Sequence, residues 1–164
     1  MAIPVDEPIA GKPQSTPSSK TSTLMTEVLH KENLKRALER VKRNKGAPGV
    51  DGMTVDQLDA HLKANWPGIR AQLVAGTYQP KPVKRVEIPK PDGRRRLLGI
   101  PTVVDRFIQQ AVAQVVQQQW EPHFHPHSYG FRPGRNAHQA MRHAQATVRE
   151  GYGWVVDIDL EAFF

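Results

Sequence analysis

The 164-residue chain has no cysteine, few aromatic residues (7%) and no apolar run long enough to cross a bilayer. Without thiols there are no disulfides and no thiolate metal sites, and without a long apolar run there is no membrane-spanning helix of the usual kind. Acids are also short, 16 against 23 lysines and arginines, which leaves a formal charge of +7 and a pI near 9.9. A surface of that sign favours polyanionic partners, with nucleic acid first among them. Asp6 and Glu7 sit in an N-terminus with no hydrophobic segment ahead of a cleavage site, so a secretory signal is not expected. These absences predict a soluble intracellular protein, long enough for one domain with a real core.

Residues 1–23 are rich in Pro, Ser, Thr and Lys and poor in large apolar side chains. Such a segment cannot offset the entropy of ordering, and a flexible tail is expected. From Glu27 onward Leu34, Ala37, Leu38 and Val41 recur at helical spacing, with Lys35, Arg36, Arg40, Lys42 and Arg43 around them. This is a basic amphipathic helix, either a solvated face over a core stripe or a surface for RNA. Asn44 to Gly52 holds three glycines and a proline and reads as a shaped loop. Thr54 and Gln57 form a capping-box pattern ahead of a helix with Val55, Leu58 and Leu62 inward, and Pro67 suits the first turn of another helix through Ile69 and Leu73.

The next stretch is the most basic: Lys81, Lys84, Arg85, Lys90, Arg94, Arg95, Arg96 and Arg106 face only Glu87, Asp92 and Asp105. Val86 and Ile88 alternate with charges, Pro91-Asp92-Gly93 is a turn, and Arg95 to Ile100 can return as a second arm. Lys90 and Arg96 then stand near the turn on opposite arms, where both could meet one anionic group such as a triphosphate. A solvated hairpin whose charges blunt an edge satisfies the same pattern. Thr102 and Asp105 resemble a second capping box, followed by the apolar stripe Val104, Phe107, Ile108, Ala111, Val112 and Val115 of a central helix.

His123, His125 and His127 alternate with Phe124 and Pro126, but the segment is broken by proline and lacks a further ligand, so they read as loop histidines rather than zinc ligands. Ser128 to Arg135 mixes aromatics, arginines and turn residues in a way that suits stacking on bases and pairing with phosphates, with Arg132 and Arg135 as the cations. Asn136 can cap a last helix with Ala137, Ala140, Met141, Ala144 and Val148 inward, ended by Gly151. The final run places Val156, Ile158 and Leu160 on one face of a strand and Val155, Asp157 and Asp159 on the other. Two acids on a strand are either one piece of a metal site or part of a solvated edge.

Taken together, NKGAPGVDG, IPKPDGRRRLLGIPTVVDRFIQQAV, SYGFRPGRNAHQA and VVDIDLEAFF resemble, in order, the N-terminal blocks of bacterial group II intron reverse transcriptases, which double as maturases. The resemblance runs from about Leu34 to Phe164. It implies an α+β fold: the fingers of a right-hand polymerase over 24–150 and the first strand of the palm over 151–164, truncated, behind the tail at 1–23. It implies RNA-directed DNA synthesis in the bacterial cytoplasm, with intron RNA as template, a DNA or RNA primer, dNTP and Mg²⁺. Asp159 matches the first metal-binding aspartate, Lys90 and Arg96 match the cations that hold the incoming triphosphate, and Phe164 matches the aromatic that senses the sugar 2′ position. Arg132, Arg135, Lys42 and Arg43 are the candidates for nucleic-acid contact. The family's later Tyr-x-Asp-Asp hairpin, thumb and maturase region are not present, so the resemblance also implies a truncated copy or an incomplete open reading frame. A non-catalytic RNA-binding piece or a degraded remnant fits the same residues.

Overall fold

A computed structural model describes residues 19–89, 91 and 93–160, so the expected tail lies outside the described residues up to residue 18. Packing divides the chain into two units, Met1–Gln117 and Gln118–Phe164. The first holds α1 (Ser19–Val28), α2 (Lys31–Asn44), a 3₁₀ turn (Val55–Gln57) running into α3 (Leu58–Ala75), the strands β1 (Lys84–Pro89) and β2 (Arg95–Ile100), and most of α4 (Val103–Trp120). The second holds a 3₁₀ turn (Glu121–His123) and α5 (Ala137–Arg149). The architecture is mixed α+β, with one antiparallel hairpin in place of a larger sheet among the described residues.

The first unit's core follows the stripes in the sequence. Ala37 and Val41 of α2, Leu58 of α3, and Val103, Phe107, Ala111 and Val115 of α4 are buried together, with Val28 and Val55 closing the ends. Burying one such side chain is worth roughly 1.5–3 kcal/mol. Trp66 meets Phe107 edge to face at 5.7 Å. A polar residue stands inside this stripe: Asn33 is buried, and its Nδ2 donates to the carbonyls of Val28 and Ala111, each at 2.9 Å. Gln114 Nε2 donates in turn to Asn33 Oδ1 at 2.7 Å. The amide thus ties the α1–α2 junction to α4 and leaves none of the paired groups as an unmatched buried dipole.

Four expectations need correction. Pro67 does not start a helix but lies inside the continuous α3. Trp66 and Ile69, on either side of it, both pack on the core, and that packing holds the helix together across the missing N–H. Val112 is exposed rather than inward, since α4 turns the Phe107–Ala111–Val115 face to the core. The α5 stripe forms, capped by Asn136 as expected and with Gln139 completing a capping box, yet no residue of α5 is buried; Met141 and Val148 face solvent. Lastly, residues 152–160 form no strand, and Val156, Ile158 and Leu160 are exposed. A strand is stable only when a neighbour pairs its N–H and C=O groups, and no described segment lies beside this one to do so.

Candidate nucleotide and nucleic-acid site

The hairpin is anchored at its base by one buried carboxylate. Asp105, in the first turn of α4, accepts the Tyr78 hydroxyl at 2.7 Å, the Lys81 backbone N–H at 3.2 Å and the Thr102 hydroxyl at 2.6 Å. Tyr78 and Lys81 precede β1 and Thr102 follows β2, so a single side chain gathers both ends of the hairpin. The Asp105 N–H also bonds Thr102 Oγ1 at 3.2 Å, completing the cap expected at this helix start. Burial, and then the hydrogen bond and negative charge of Asp105, push the Tyr78 phenol well above its ordinary value.

The glycine-rich loop after α2 closes against the same region. A Cβ on Gly49 would stand 2.7 Å from Thr102 Cα, and one on Gly46 would stand 1.9 Å from Arg106 Nη1. At Gly49 the near atoms are backbone, so glycine is required there for close approach and not for a special dihedral angle, whereas at Gly46 the Arg106 side chain could shift. Arg106 Nη2 donates to the Ala47 carbonyl at 2.8 Å, and Lys81 Nζ approaches Asp51 Oδ2 at 3.4 Å.

Within the hairpin the register pairs Lys84 with Ile100, Val86 with Leu98, Ile88 with Arg96 and Pro89 with Arg95. Directly opposed residues share a face. One face therefore carries Val86, Ile88, Leu98 and Arg96, and the other carries Arg85, Glu87, Leu97 and Arg95. Arg95 is neutralised by Glu87. Arg96 stands on the apolar face beside the turn, exposed, with no ion pair to a described residue. Lys90 lies outside the described residues, as does Phe164.

On α2, Lys42 is paired with Asp59 of α3, whereas Arg43 is exposed and has no described carboxylate for a partner.

In the second unit Arg132 is an anchor. Its Nε and Nη2 reach Glu121 Oε1 at 2.9 and 2.8 Å, and its Nη1 donates to the carbonyls of His125 at 2.8 Å and Ser128 at 3.0 Å. The guanidinium also lies over Phe124, 5.3 Å from the ring centre. Arg135 lies over Tyr129 at 5.5 Å. His127 stacks on His143 of α5 at 3.8 Å and meets His125 at 5.1 Å. Desolvation, followed by repulsion from His143, His125 and Arg135, lowers the His127 pKa from its ordinary value.

Asp157 and Asp159 are exposed, and Asp159 Oδ1 accepts the N–H of Leu160 at 2.9 Å. Carboxylate oxygen is the right donor for Mg²⁺. In number the fit fails, because no group of three or more His, Cys, Asp or Glu among the described residues is placed to hold a metal ion.

Residues 88–164 match the reverse transcriptase (RNA-dependent DNA polymerase) family, from β1 through the hairpin turn, β2, α4 and the second unit. Those residues belong to the reverse transcriptase family. Across the wider chain, the similar proteins include Protein YkfC of Escherichia coli K12, 39% identical over 154 residues, which are 90% of this chain and 40% of that protein. Group II intron-encoded protein LtrA of Lactococcus lactis is 36% identical over 132 residues, covering 78% of this chain and 21% of that protein. An uncharacterized 91 kDa protein in the cob intron of Schizosaccharomyces pombe is 31% identical over 115 residues, 70% of this chain and 13% of that protein. The chain thus spans well under half the length of these relatives.

Within the reverse transcriptase region, two side chains of structural weight escape a reading by spacing alone. Asp105 reads as an ordinary cap, because its further partner Tyr78 lies 27 residues away in sequence. Arg132 reads as a phosphate ligand, although every guanidinium nitrogen already has an acceptor in its own loop. Glu121, eleven residues upstream in an otherwise acid-free neighbourhood, was the available signal.

Proposed function

We propose that this chain supplies the nucleotide-gripping part of an RNA-directed DNA polymerase of the group II intron type, with a maturase role in splicing the intron RNA. The observation that carries this reading is Arg96: within a region of the reverse transcriptase family, it is exposed beside the hairpin turn with no ion pair to a described residue, while its neighbour Arg95 is neutralised by Glu87. An exposed guanidinium beside a turn suits the triphosphate of an incoming dNTP, with Lys90 assigned as its companion. In the reaction a primer 3′-hydroxyl attacks the α-phosphate and pyrophosphate leaves. Asp159 is assigned as one carboxylate ligand of Mg²⁺, which would need further carboxylates that the described residues do not provide and would supply charge neutralisation at the phosphates. Phe164 is assigned to discrimination at the sugar 2′ position. Arg43, Lys42 and Arg135 are assigned to template RNA, and Arg132 to holding the loop that carries Arg135.

Joined to the remaining length of a group II intron-encoded relative, the chain should extend a DNA primer on an RNA template with Mg²⁺ and dNTPs. In that assembly Arg96→Ala should raise the dNTP concentration needed for half-maximal rate by about ten-fold or more, the equivalent of one charge-assisted bond of roughly 1.5–3 kcal/mol. Asp159→Ala should abolish extension. Unchanged dNTP dependence in the first variant, or normal extension by the second, refutes the corresponding role.

A further inference from the structure

The aromatic rings of the loop between α4 and α5 are not treated alike. Trp120 meets His123 edge to face at 6.2 Å, Phe124 carries the Arg132 guanidinium, and Tyr129 carries Arg135 and approaches His143. Phe131 has no such partner among the described residues and is fully exposed, at 108% of its reference surface. Its backbone is also left-handed, with φ of +55°, a conformation uncommon outside glycine and unfavourable for a bulky residue. Water gains nothing from an exposed ring, and glycine would relieve the backbone, so packing within this chain explains neither feature.

The next residue, Arg132, is held by Glu121 and by the carbonyls of His125 and Ser128, so the chain is anchored immediately after Phe131. The surrounding charge selects the class of partner. From Pro122 to Arg149 the sequence has four arginines and no acid. The stretch is bounded by Glu121, which is paired with Arg132, and by Glu150.

We infer that Phe131 is a stacking platform for an unpaired base of single-stranded nucleic acid, within a stretch whose net charge is positive. The inference rests on the nucleic-acid reading above and adds a specific residue and mode of contact to it. Aromatic–base stacking tolerates any base, because every base has a flat π face. The contact would therefore add affinity without sequence preference.

The test uses the full chain, a single-stranded RNA of mixed sequence, and an oligonucleotide of the same length made entirely of abasic units, which keeps the phosphates and removes the bases. Phe131→Gly should weaken RNA binding about ten-fold, in the range known for one stacked base. It should leave the salt dependence unchanged, and should hold or raise the melting temperature because glycine suits the backbone there. Phe131→Trp should bind RNA as the native chain does, and all three forms should bind the abasic oligonucleotide equally. If Phe131→Gly lowers the melting temperature, the ring packs within the protein and the inference is overturned. If the native chain binds RNA and Phe131→Gly binds it equally well, the stacking role alone fails. If the native chain binds no RNA, the nucleic-acid reading fails and this inference falls with it.

Discussion

Removing the Asp105 carboxylate should loosen the hairpin from its base, and the cost can be worked bond by bond. Asp105→Ala deletes the acceptor for the Tyr78 hydroxyl, the Thr102 hydroxyl and the Lys81 N–H. The two hydroxyls can turn toward other acceptors, but the backbone N–H cannot, so the partly buried Lys81 N–H loses its partner. With bonds to a charged acceptor near 1.5–3 kcal/mol each and incomplete additivity, a loss of about 3–5 kcal/mol is expected. Asp105→Asn should cost less, about 1–2 kcal/mol, because the amide oxygen can keep the Lys81 N–H while Tyr78 rotates to accept from the NH₂ group. Tyr78→Phe should fall in the same range as Asn. Urea unfolding followed by tryptophan fluorescence measures these losses, and amide exchange at Val86 and Leu98 reports the hairpin itself. The phenol adds a pH signature. Its folded pKa is raised, so the folded state keeps a proton that the unfolded state releases. The contribution is complete below about pH 10 and is lost as pH rises above it. Tyr78→Phe should abolish that decline. An Asp105→Ala chain that unfolds within about 1 kcal/mol of the native one, with hairpin exchange unchanged, refutes the clamp.

Gly49→Ala should destabilise the first unit by about 1–3 kcal/mol, because the new methyl meets backbone at Thr102 that has no flexible end to move aside; a melting curve checks it. Arg132→Lys should cost roughly 2–3 kcal/mol and open the 121–135 loop to protease, since an ammonium cannot reproduce the planar fork to Glu121 and two carbonyls. His127 has a lowered folded pKa, so its packing against His143 is at full strength above about pH 6.5 and weakens as pH falls below that value. NMR titration of His127, with His127→Gln as the silent control, should show it titrating below the ordinary histidine value.

What could be read directly from the sequence was whatever depends on neighbours in sequence. The α2 and α4 stripes, the caps at Thr54, Thr102 and Asn136, and the hairpin turning at Pro91 to Gly93 are set by spacing of three, four or two residues, and the structure contains each. What could not be read depends on a partner remote in sequence. Asn33 in the middle of an apolar stripe has no local explanation until Ala111 and Gln114 arrive 78 and 81 residues later. Pro67 signals a helix start by its own chemistry, and only Trp66 packing on Phe107 overrules it.

The same distinction separates Arg96 from Asp159. Arg96 is positioned by described elements: a paired register, and a carboxylate that draws both ends of the hairpin together. Asp159 stands on a segment whose alternation of Val156, Ile158 and Leu160 with Asp157 and Asp159 is written for a sheet, yet no described strand pairs with it. Alternation specifies which side chains would share a face, but it cannot supply the hydrogen-bond partner that makes the face exist. Supplying an adjacent strand should therefore have two linked effects on this segment: slowed exchange at Val156 and Ile158, and a carboxylate at Asp159 held in one orientation. If the exchange slows while Asp159→Ala leaves Mg²⁺ binding by the assembly unchanged, the strand is structural and the metal belongs elsewhere.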